Sequence, residues 1–477
     1  MQAEAGKDPH SPNRTQKKHM RPPAFDYEAD IIVVGGGACG LMAAYRAGLT
    51  GLDVILLERD SRLGCNAEIA SGSVPAAPTE HQRRAGVQDS AEQMAKDIMQ
   101  KNGNQANGAI VDVLCQRSPE LIEIFEHQLG VPMELNTDAS RYGFSAMRLH
   151  NGPGRTGAPL INSLRKAIQN MESVTYVDQT PGAGLIVGEG GEVQGVIASA
   201  DGQKQNLGAK RVILACDGFG SNQDMIAQYI PHMHGLPSIG VQGNMGDAIR
   251  WGLKLGGAVA HMCGYQAHGL VCAGYGTRLV PEIPQLGAII VNRQGNRFAR
   301  EDQGYSEFAR EVLGQPDQVG IAFFDQRTVD IVARLDHWKD TMASGAVKSA
   351  PSVEALAALF KLPLEAVQRS FAQCSGLLTD PFNRASLPAP SQGPFYGAII
   401  TGALVHTQGG LVVDVHARVC RPDGTVIPNL YAGGGSAAGL SGDQPEGYLS
   451  GNGLLSAYGL GLIAGEHAAA SIKATKQ

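Results

Sequence analysis

Three glycines and one acid near the amino terminus have the spacing of a site that binds a pyrophosphate and a ribose. The string IIVVGGGACG occupies residues 31–40, and a second apolar run, VILLE, ends at Glu58. This pattern predicts a strand, a glycine turn, a helix and a second strand. Gly35 allows the tight turn, Gly37 lets the backbone approach a pyrophosphate, and Gly40 lets the helix pack on the strand. The amides at the helix start would bind the pyrophosphate and Glu58 the ribose, so we predict that the chain binds an adenine dinucleotide.

A second glycine turn, near the carboxyl terminus, indicates which dinucleotide binds. Residues 429–435 read NLYAGGG, and they lead to an apolar helix, GNGLLSAYGLGLIAGEHAA, at 451–469. A helix in this position aims its amino end at the pyrimidine edge of a flavin, where it stabilises the negative charge of the reduced ring. The string RVILACDGFG at 211–220 predicts a third element, a strand and a turn of small residues beneath the cofactor. These three elements in this order favour FAD over NAD.

The composition narrows the class of protein. A chain of 477 residues with 62 glycines is long enough for a large core and more than one domain. A net charge of −6 without a basic stripe argues against nucleic acid as a partner. No apolar run reaches the roughly twenty residues that a membrane span needs. The first 25 residues are polar, contain prolines and lack the apolar core of a secretory signal, which predicts a disordered tail on a cytoplasmic protein.

The cysteines do not follow a metal-binding pattern. All eight are scattered, with no CxxC pair, which argues against zinc and iron–sulfur clusters. Cys39 and Cys216 fall in the predicted flavin-binding turns, where a small residue is needed, and we expect all eight to be small buried side chains. No metal site is predicted.

Local patterns predict the elements that position these turns. Residues 29–59 form the β-α-β unit. Helices are expected at roughly 90–128 and 158–170, and the first of them begins after Asp89–Ser90. A β-meander follows at about 174–215 and contains a hairpin at EGGEV.

A segment with a different pattern of helices and strands interrupts the predicted flavin-binding region. From Cys263 to Thr407 the chain has mixed helices and short strands, and the earlier pattern resumes at GGLVVD. We therefore predict an α/β fold class, with a Rossmann-like FAD-binding domain and an inserted α+β capping domain. Substrate sites commonly form between two such domains. The predicted divisions are a tail at 1–28, a discontinuous FAD-binding domain at 29–262 and 408–477, and a capping domain at 263–407.

Motifs along nearly the whole chain from residue 29 resemble those of one flavoprotein family. They are, in order, GCNAEIASG, AGVQDSAEQMAKDIM, NMGDAIRWGLKLGGAV, QAH, VNRQGNRFARE, HTQGGLVVD and GNGLL. The family is that of the soluble fumarate reductases and succinate dehydrogenases, which also contains the 3-ketosteroid dehydrogenases. The resemblance implies FAD in a two-domain fold with a mobile capping domain. Members with covalent flavin carry a histidine in the loop that here spans 65–73, and this loop has none, so we predict non-covalent FAD.

The residues that we predict to contact FAD lie in these turns and motifs. They are Gly35, Gly37, Ala38, Cys39, Gly40, Glu58, Arg59, Asn66, Ala67, Ser71, Gly72, Ala215, Asp217, Gly218, Asp247, Gly434, Gly435, Gly451, Asn452 and Leu454.

The substrate-binding positions of the family are only partly kept. Fumarate reductases bind a dicarboxylate between two histidines and two arginines, one of which also delivers the proton. The histidines correspond to His268 in GYQAHG and His406 in VHTQGG. At or next to the arginine positions the chain has Tyr305 and Tyr448. Phenol groups cannot replace the charge of bidentate guanidinium groups, so we do not expect fumarate or succinate as the substrate.

The hydroxyl groups at these positions are similar to those of the 3-ketosteroid dehydrogenases. The string YLSG at 448–451 resembles the branch that oxidises at the Δ4 position. Desaturating a ketone requires hydride transfer from Cβ to flavin N5, proton removal from Cα and stabilisation of the developing enolate. Tyr448 and an amide near Gly451 would bind the carbonyl oxygen, while Tyr305, or Ser450 through Tyr448, would carry the proton. Which hydroxyl acts as the base stays open.

We therefore predict an FAD-dependent oxidoreductase that introduces or reduces a C=C bond next to a carbonyl. The expected small-molecule substrate is a 3-ketosteroid or another cyclic ketone. The first alternative is a fumarate-reductase-like reductase of an unusual unsaturated carboxylate, using His268, His406 and Arg155. The second is a flavin-binding subunit that passes electrons to a partner protein. The direction of the reaction and the electron acceptor stay open. Arg297 and Glu301 are predicted to form an ion pair that supports the catalytic loop.

Overall fold

The computed structural model describes residues 24–138, 141–385 and 387–475. Most of the predicted tail, residues 1–23, lies outside the described residues. The strands are β1 (Tyr27–Val34), β2 (Val54–Leu57), β3 (Val74–Pro75), β4 (Glu134–Leu135), β5 (Leu149–Asn151), β6 (Val174–Val177), β7 (Gly182–Val187), β8 (Val193–Ala200), β9 (Gln203–Leu214), β10 (Val259–Ala260), β11 (Tyr265–Cys272), β12 (Ile289–Val291), β13 (Val319–Asp325), β14 (Lys348–Ala350), β15 (Phe395–Thr407), β16 (Gly410–Leu411), β17 (Arg418–Cys420) and β18 (Val426–Ala432). The helices are α1 (Ala38–Gly48), α2 (Asn66–Ile69), α3 (Glu80–Arg84), α4 (Ala91–Lys101), α5 (Gly108–Glu123), α6 (Ala158–Gln169), α7 (Gln223–Tyr229), α8 (Asp247–Lys254), α9 (Glu282–Gln285), α10 (Tyr305–Leu313), α11 (Gln326–Val332), α12 (Asp336–Ala343), α13 (Val353–Leu359), α14 (Leu364–Cys374) and α15 (Asn452–Thr475).

The predicted β-α-β unit consists of β1, α1 and β2. β1 pairs in parallel with β2 on one side and with β9 on the other. Ile31, Ile32 and Val33 are fully buried, as expected for a parallel strand that is covered on both faces. β1 begins two residues before the predicted boundary, because Tyr27 already pairs with Leu207 of β9. The prediction of a strand, a glycine turn, a helix and a second strand is confirmed.

The large sheet brings three turns to one edge. Within the described residues its main path is β17-β18-β9-β1-β2-β6, and β7 and β8 extend it beside β9. β18, β9, β1 and β2 run parallel, so the turns that follow β1, β9 and β18 share the edge at which parallel strands end. Helix α15 packs against α1 beneath these turns, and Gly461 there faces the backbone of Cys39. The three predicted flavin-binding elements are therefore neighbours in space.

A second, antiparallel sheet lies between residues 265 and 407. Its order is β11-β15-β13-β12, and β14 also pairs with β15. This sheet has its own buried cluster, which includes Phe308, Phe324 and Trp338. The α/β fold class with an additional α+β part is confirmed, whereas the limits of the domains stay a prediction.

Two local predictions can be compared directly with the structure. Helix α4 begins where expected, since the Ser90 hydroxyl accepts a hydrogen bond from the Gln93 amide at 3.1 Å. The predicted helical region there contains two helices, because Gly103 and Asn104 adopt positive φ angles and end α4. The hairpin at EGGEV joins β7 to β8 and is confirmed.

The cysteines are all free thiols. Cys263 is exposed, and Cys65, Cys216 and Cys374 are half-buried, so the expectation that all eight are buried is wrong for these four. Among the described residues, no group of three or more His, Cys, Asp and Glu side chains could hold a metal ion. No helix in the described part of the chain is long and apolar enough to cross a membrane. The cytoplasmic location stays a prediction.

Candidate active site

A large, partly open cavity lies where the turns of the large sheet meet the antiparallel sheet, and about 1570 Å³ of empty space, open solvent included, lies within it. The turn after β1 contributes Gly37 and the turn after β9 contributes Asp217. His268 of β11 and Tyr305 of α10 line the same cavity from the antiparallel sheet side. The cavity therefore joins the predicted cofactor turns to the predicted substrate residues.

An adjoining, smaller and partly open cavity extends this space toward the end of β2. It is lined by Glu58, and it shares Gly37, Cys65, Ala215 and Asp217 with the large cavity. The two cavities together, which we call the groove, run from the acid after β2 to the start of α15.

The acid at the end of β2 is held in place by backbone amides. Glu58 Oε2 accepts a hydrogen bond from the Gly36 amide at 2.6 Å, and Oε1 accepts one from the Asp60 amide at 2.9 Å. Gly35 has a φ of +109°, and a Cβ at this position would collide with the carbonyl of Ala215. The tight turn therefore requires glycine here. This geometry presents the carboxylate and the α1 amides to the same groove.

Two further contacts fix the walls of the groove. Arg59 donates to the Gly243 carbonyl at 2.8 Å and forms an ion pair with Asp247 at 2.5 Å. Asn66 donates to Asp217 Oδ2 at 2.9 Å and accepts from the Val241 amide at 2.8 Å. These contacts hold the loop after β2 against the turn after β9 and against the start of α8 and the segment before it.

Most of the predicted cofactor residues line the groove. Those that do are Gly35, Gly37, Ala38, Cys39, Glu58, Arg59, Asn66, Ala67, Ser71, Ala215, Asp217, Asp247, Gly434, Gly435, Gly451 and Leu454. The other four, Gly40, Gly72, Gly218 and Asn452, do not line it. The three glycines lie against neighbouring protein atoms and allow close packing. Asn452 is buried, and its side-chain amide has no hydrogen-bond partner among the described residues.

All five predicted catalytic side chains line the large cavity, although they come from distant parts of the chain. The ring centroids of His268 and Tyr305 are 4.8 Å apart, and those of Tyr305 and Tyr448 are 6.1 Å apart. The ring of His406 follows at 5.9 Å from Tyr448. Ser450 lies two residues after Tyr448, before α15. The structure thus places the four rings in a row.

His268 is a neutral imidazole whose free N–H is unpaired. Its Nδ1 accepts a hydrogen bond from the Leu270 amide at 3.3 Å, which assigns the proton to Nε2. That Nε2 is buried and has no hydrogen-bond partner among the described residues. Burial, with the nearby Arg278 and His337, holds the pKa of His268 well below its ordinary value. The side chain can therefore donate one hydrogen bond to a ligand.

His406 has the opposite tautomer. Its Nδ1 lies 3.1 Å from the Thr407 carbonyl, so it donates there and leaves Nε2 as an acceptor. Burial lowers the pKa of His406, and the carboxylate of Asp217 only partly opposes this effect. The two histidines therefore offer one donor and one acceptor, neither of them charged.

The two tyrosines differ in how readily they can lose a proton. Burial raises the pKa of Tyr305, while the hydroxyls of Ser450 and Tyr448 and the guanidinium groups of Arg141 and Arg278 oppose that rise. Burial and the neighbouring Tyr305 raise the pKa of Tyr448 well above its ordinary value. Tyr448 is thus a neutral hydroxyl, and Tyr305 is the better placed of the two to exchange a proton.

Sequence reasoning missed two arginines and a histidine in the cavity wall. Arg278 donates from Nη2 to the Ile69 carbonyl and to His337 Nε2, both at 3.0 Å. Arg141 pairs with Glu282, and its Nε and Nη1 have no hydrogen-bond partner among the described residues. Arg141, Arg278 and His337 lie outside the motifs that carry the resemblance, so no spacing in the sequence indicated them.

The arginine that the sequence did suggest is already neutralised. Arg155 lines the cavity, but its Nε lies 3.0 Å from Glu134 and its Nη1 lies 2.6 Å from Asp138. The predicted ion pair of Arg297 and Glu301 is confirmed, with two contacts of 2.7 Å between fully buried side chains. This pair supports the segment that leads into α10.

Comparison with known proteins shows the family to which the chain belongs. Residues 30–454 match the model of the FAD binding domain family, so the chain belongs to that family. It is 28% identical over 449 residues to the fumarate reductase (cytochrome) of Shewanella frigidimarina, which covers 92% of this chain and 77% of that protein. The fold is similar to the open conformation of a flavocytochrome c3 fumarate reductase, with a TM-score of 0.78, 25% identity and coverage of 94% of this chain and 79% of the other. It is also similar to the 3-ketosteroid-Δ4-(5α)-dehydrogenase from Rhodococcus jostii RHA1, with a TM-score of 0.74, 24% identity and coverage of 94% and 100%.

The groove fits the cofactor of this family, and the protein is an FAD-dependent oxidoreductase. The α1 amides beside Gly37 suit a pyrophosphate, and Glu58 has lone pairs left for a hydroxyl. Gly451 has a φ of +86°, and a Cβ there would lie 2.7 Å from the Ser73 carbonyl, so the entry to α15 needs glycine. The backbone at the start of α15 can therefore approach a ring system in the cavity.

Proposed function

We propose that this enzyme transfers a hydride between its flavin and a C–C bond next to a ketone, with a 3-ketosteroid or another cyclic ketone as the substrate. FAD, when bound, supplies the site that accepts or donates the hydride. The observation that carries the proposal is the cluster of hydroxyl groups from Tyr305, Tyr448 and Ser450 in the cavity wall. By microscopic reversibility, the same side chains would serve both desaturation and reduction.

We assign the binding of the substrate's carbonyl oxygen to Tyr448. Its pKa is raised well above the ordinary value, so it keeps its proton and can donate a hydrogen bond to a ketone oxygen. The backbone at Gly451 and Gly453, at the start of α15, also lines this part of the cavity. Neutral donors and the positive end of a helix suit an oxygen that gains charge only as the enolate develops.

We assign the transfer of the Cα proton to Tyr305. In the direction of desaturation, Tyr305 would first lose its own proton, and its phenolate oxygen would then take the Cα proton while the hydride leaves Cβ for the flavin. Gln266 donates a hydrogen bond to the Tyr305 oxygen at 3.2 Å and orients it. Arg141 and Arg278 favour the phenolate, because each is a cation that opposes the rise in the pKa of Tyr305 caused by burial. Ser450 supports the same effect through its hydroxyl.

Anaerobic reduction of the bound flavin tests this assignment. We would mix the purified holoenzyme separately with cyclohexanone, a saturated 3-ketosteroid and succinate, and follow the absorbance of oxidised flavin. Bleaching by a ketone, with none by succinate, is the expected result. Bleaching by succinate alone would overturn the proposal.

A second candidate function is the reduction of an unsaturated carboxylate. Arg278 favours it, because it lines the cavity and has no ion pair with any described carboxylate. The relative from Shewanella frigidimarina is named for fumarate, an unsaturated dicarboxylate. Reoxidation of the chemically reduced enzyme by an unsaturated carboxylate that carries no ketone would support this function over the first. Electron transfer to a partner protein would instead be indicated if ketones reduced the flavin and no small-molecule acceptor reoxidised it.

A further inference from the structure

We infer that the substrate carries one carboxylate in addition to its ketone, and that Arg278 binds this carboxylate. The assignment of the ketone rests on the proposed function, whereas the anion site rests on Arg278 and its neighbours alone. The substrate class is therefore a cyclic keto acid. Such a substrate accounts both for the hydroxyl cluster and for a cation that the hydroxyl chemistry does not require.

Arg278 differs from the other arginines in the cavity wall. Arg155 is neutralised by Glu134 and Asp138. Arg141 is paired with Glu282, which also lines the cavity. Arg278 forms no ion pair with any carboxylate in the described part of the chain. It is the arginine of this wall whose charge a ligand would have to balance.

The surroundings of Arg278 make an unbalanced charge costly. Arg278 is half-buried, and the partial loss of water lowers the pKa of its guanidinium, so the protein environment disfavours the cation. A charge that is partly removed from water is stabilised when it is paired. A carboxylate on the bound substrate would offset that cost, and it would do so only when the substrate is in place.

The guanidinium is held so that its free donors remain available. Nη2 donates to the Ile69 carbonyl and to His337, while Nε and Nη1 donate to no described protein atom. Nε2 of His268, on the same cavity wall, is a second unpaired donor. A planar carboxylate is the group that a guanidinium and a neighbouring N–H can bind together.

The donors of this site suit one carboxylate. Of the three arginines that line the cavity, Arg278 is the one without a carboxylate partner among the described residues. Asp217 keeps its negative charge, because its partner Asn66 is a neutral amide, and it lies near His406. His268 and His406 are held neutral by burial and add no positive charge. One guanidinium can therefore pair with one carboxylate, and a second anionic group would have no cation of its own in the described wall.

Arg278 also lowers the pKa of Tyr305, so its two roles must be separated by experiment. A cation that acts only on the proton-transferring tyrosine affects every substrate to the same extent. A cation that binds a carboxylate affects a keto acid more than the ketone that lacks the acid. A matched pair of ligands therefore distinguishes the roles.

The experiment compares cyclohexanone with 3-oxocyclohexane-1-carboxylate on the holoenzyme. Affinities are measured by isothermal titration calorimetry, which does not depend on turnover, and flavin reduction is measured in parallel by stopped flow. Arg278→Met removes the positive charge. Arg278→Lys keeps the charge but lacks the paired N–H donors with which a guanidinium binds a carboxylate. Arg334→Met is the matched control, because Arg334 is more than half exposed, pairs with Asp138 and does not line the cavity.

The expected result is that the wild type prefers the keto acid, and that Arg278→Met reduces this preference by about 10- to 100-fold. Arg278→Lys should keep part of the preference, and Arg334→Met should keep all of it. Equal loss of affinity for both ligands in Arg278→Met, or an unchanged preference, would overturn the inference. If neither ligand reduced the flavin while the keto acid still bound in an Arg278-dependent way, the ketone chemistry would be wrong and the anion site would stand.

Discussion

The ring of Tyr305 lies against the imidazole of His268, with centroids 4.8 Å apart and planes inclined by 31°. This contact joins the residue that we assign to proton transfer to a histidine that cannot itself take up a proton near neutral pH. Under the proposed function, His268 is a fixed hydrogen-bond donor beside the tyrosine that we assign to proton transfer. We therefore assign proton transfer to Tyr305, whose hydroxyl is near those of Tyr448 and Ser450.

Removing the Tyr305 hydroxyl should abolish most of the activity without loss of the cofactor. A positioned acid or base contributes roughly 10²- to 10⁴-fold to the rate, so we expect Tyr305→Phe to lower kcat by that range. The FAD content of the purified variant should be unchanged. Tyr265→Phe is the control, since Tyr265 is a buried tyrosine of β11 that bonds to His232 outside the cavity. A kcat for Tyr305→Phe within a few-fold of the control would show that another group carries the proton.

Removing the Tyr448 hydroxyl should affect the transition state more than the cofactor. Loss of one donor to a developing oxyanion costs roughly 10²- to 10³-fold in kcat. We therefore expect Tyr448→Phe to reduce kcat in this range, while the dissociation constant of FAD, measured by flavin fluorescence, changes little. A large loss of FAD affinity with unchanged kcat in the loaded fraction would place Tyr448 in cofactor binding instead.

The flavin should be removable without breaking a covalent bond. The loop at 65–73 contains no histidine, and we predict that FAD is held only by contacts in the groove. Acid precipitation of the holoenzyme should leave the yellow flavin in the supernatant and a colourless pellet. A pellet that stays yellow after washing would contradict non-covalent binding.

Folding stability should fall as the pH drops from about 6.5 toward 4. Burial lowers the pKa of His150 from 6.5 to about 4, so the folded protein keeps this ring neutral over a range in which the unfolded chain protonates it. The unfolded state then binds more protons, and the free energy of unfolding decreases as the pH falls. A shift of this size corresponds to about 3 kcal/mol by pH 4.

Urea unfolding at several pH values measures this effect. His150→Gln removes the titrating ring, so its stability should depend less steeply on pH than that of the wild type. The comparison uses the slopes, because the variant also changes the contact of His150 with Thr79. Equal slopes in the two proteins would show that His150 does not contribute to the acid sensitivity.

Local sequence signals predicted the cofactor-binding part of the fold well. The glycine turn before α1 and the Ser90 cap depend on residues close together in the chain, so spacing alone indicates them. The five catalytic candidates were identified through motifs that resemble a family, and the structure places all of them on one cavity wall.

Arg278 and His337 could not be predicted in the same way. They belong to a loop after β11 and to helix α12, which are distant in the chain and meet through the tertiary packing of the antiparallel-sheet part. No local periodicity encodes that contact. The sequence also did not reveal that acids neutralise Arg155, because Glu134 and Asp138 reach it through tertiary structure.

Proton transfer by Tyr305 during ketone oxidation is tested most directly by comparing single-turnover flavin reduction by cyclohexanone in the wild type and in Tyr305→Phe, under anaerobic conditions. We expect rapid bleaching of the oxidised flavin by the ketone in the wild type and a rate at least about 100-fold lower in the variant. No bleaching of the wild type by any cyclic ketone, together with reoxidation of the reduced enzyme by an unsaturated carboxylate without a ketone, would contradict it.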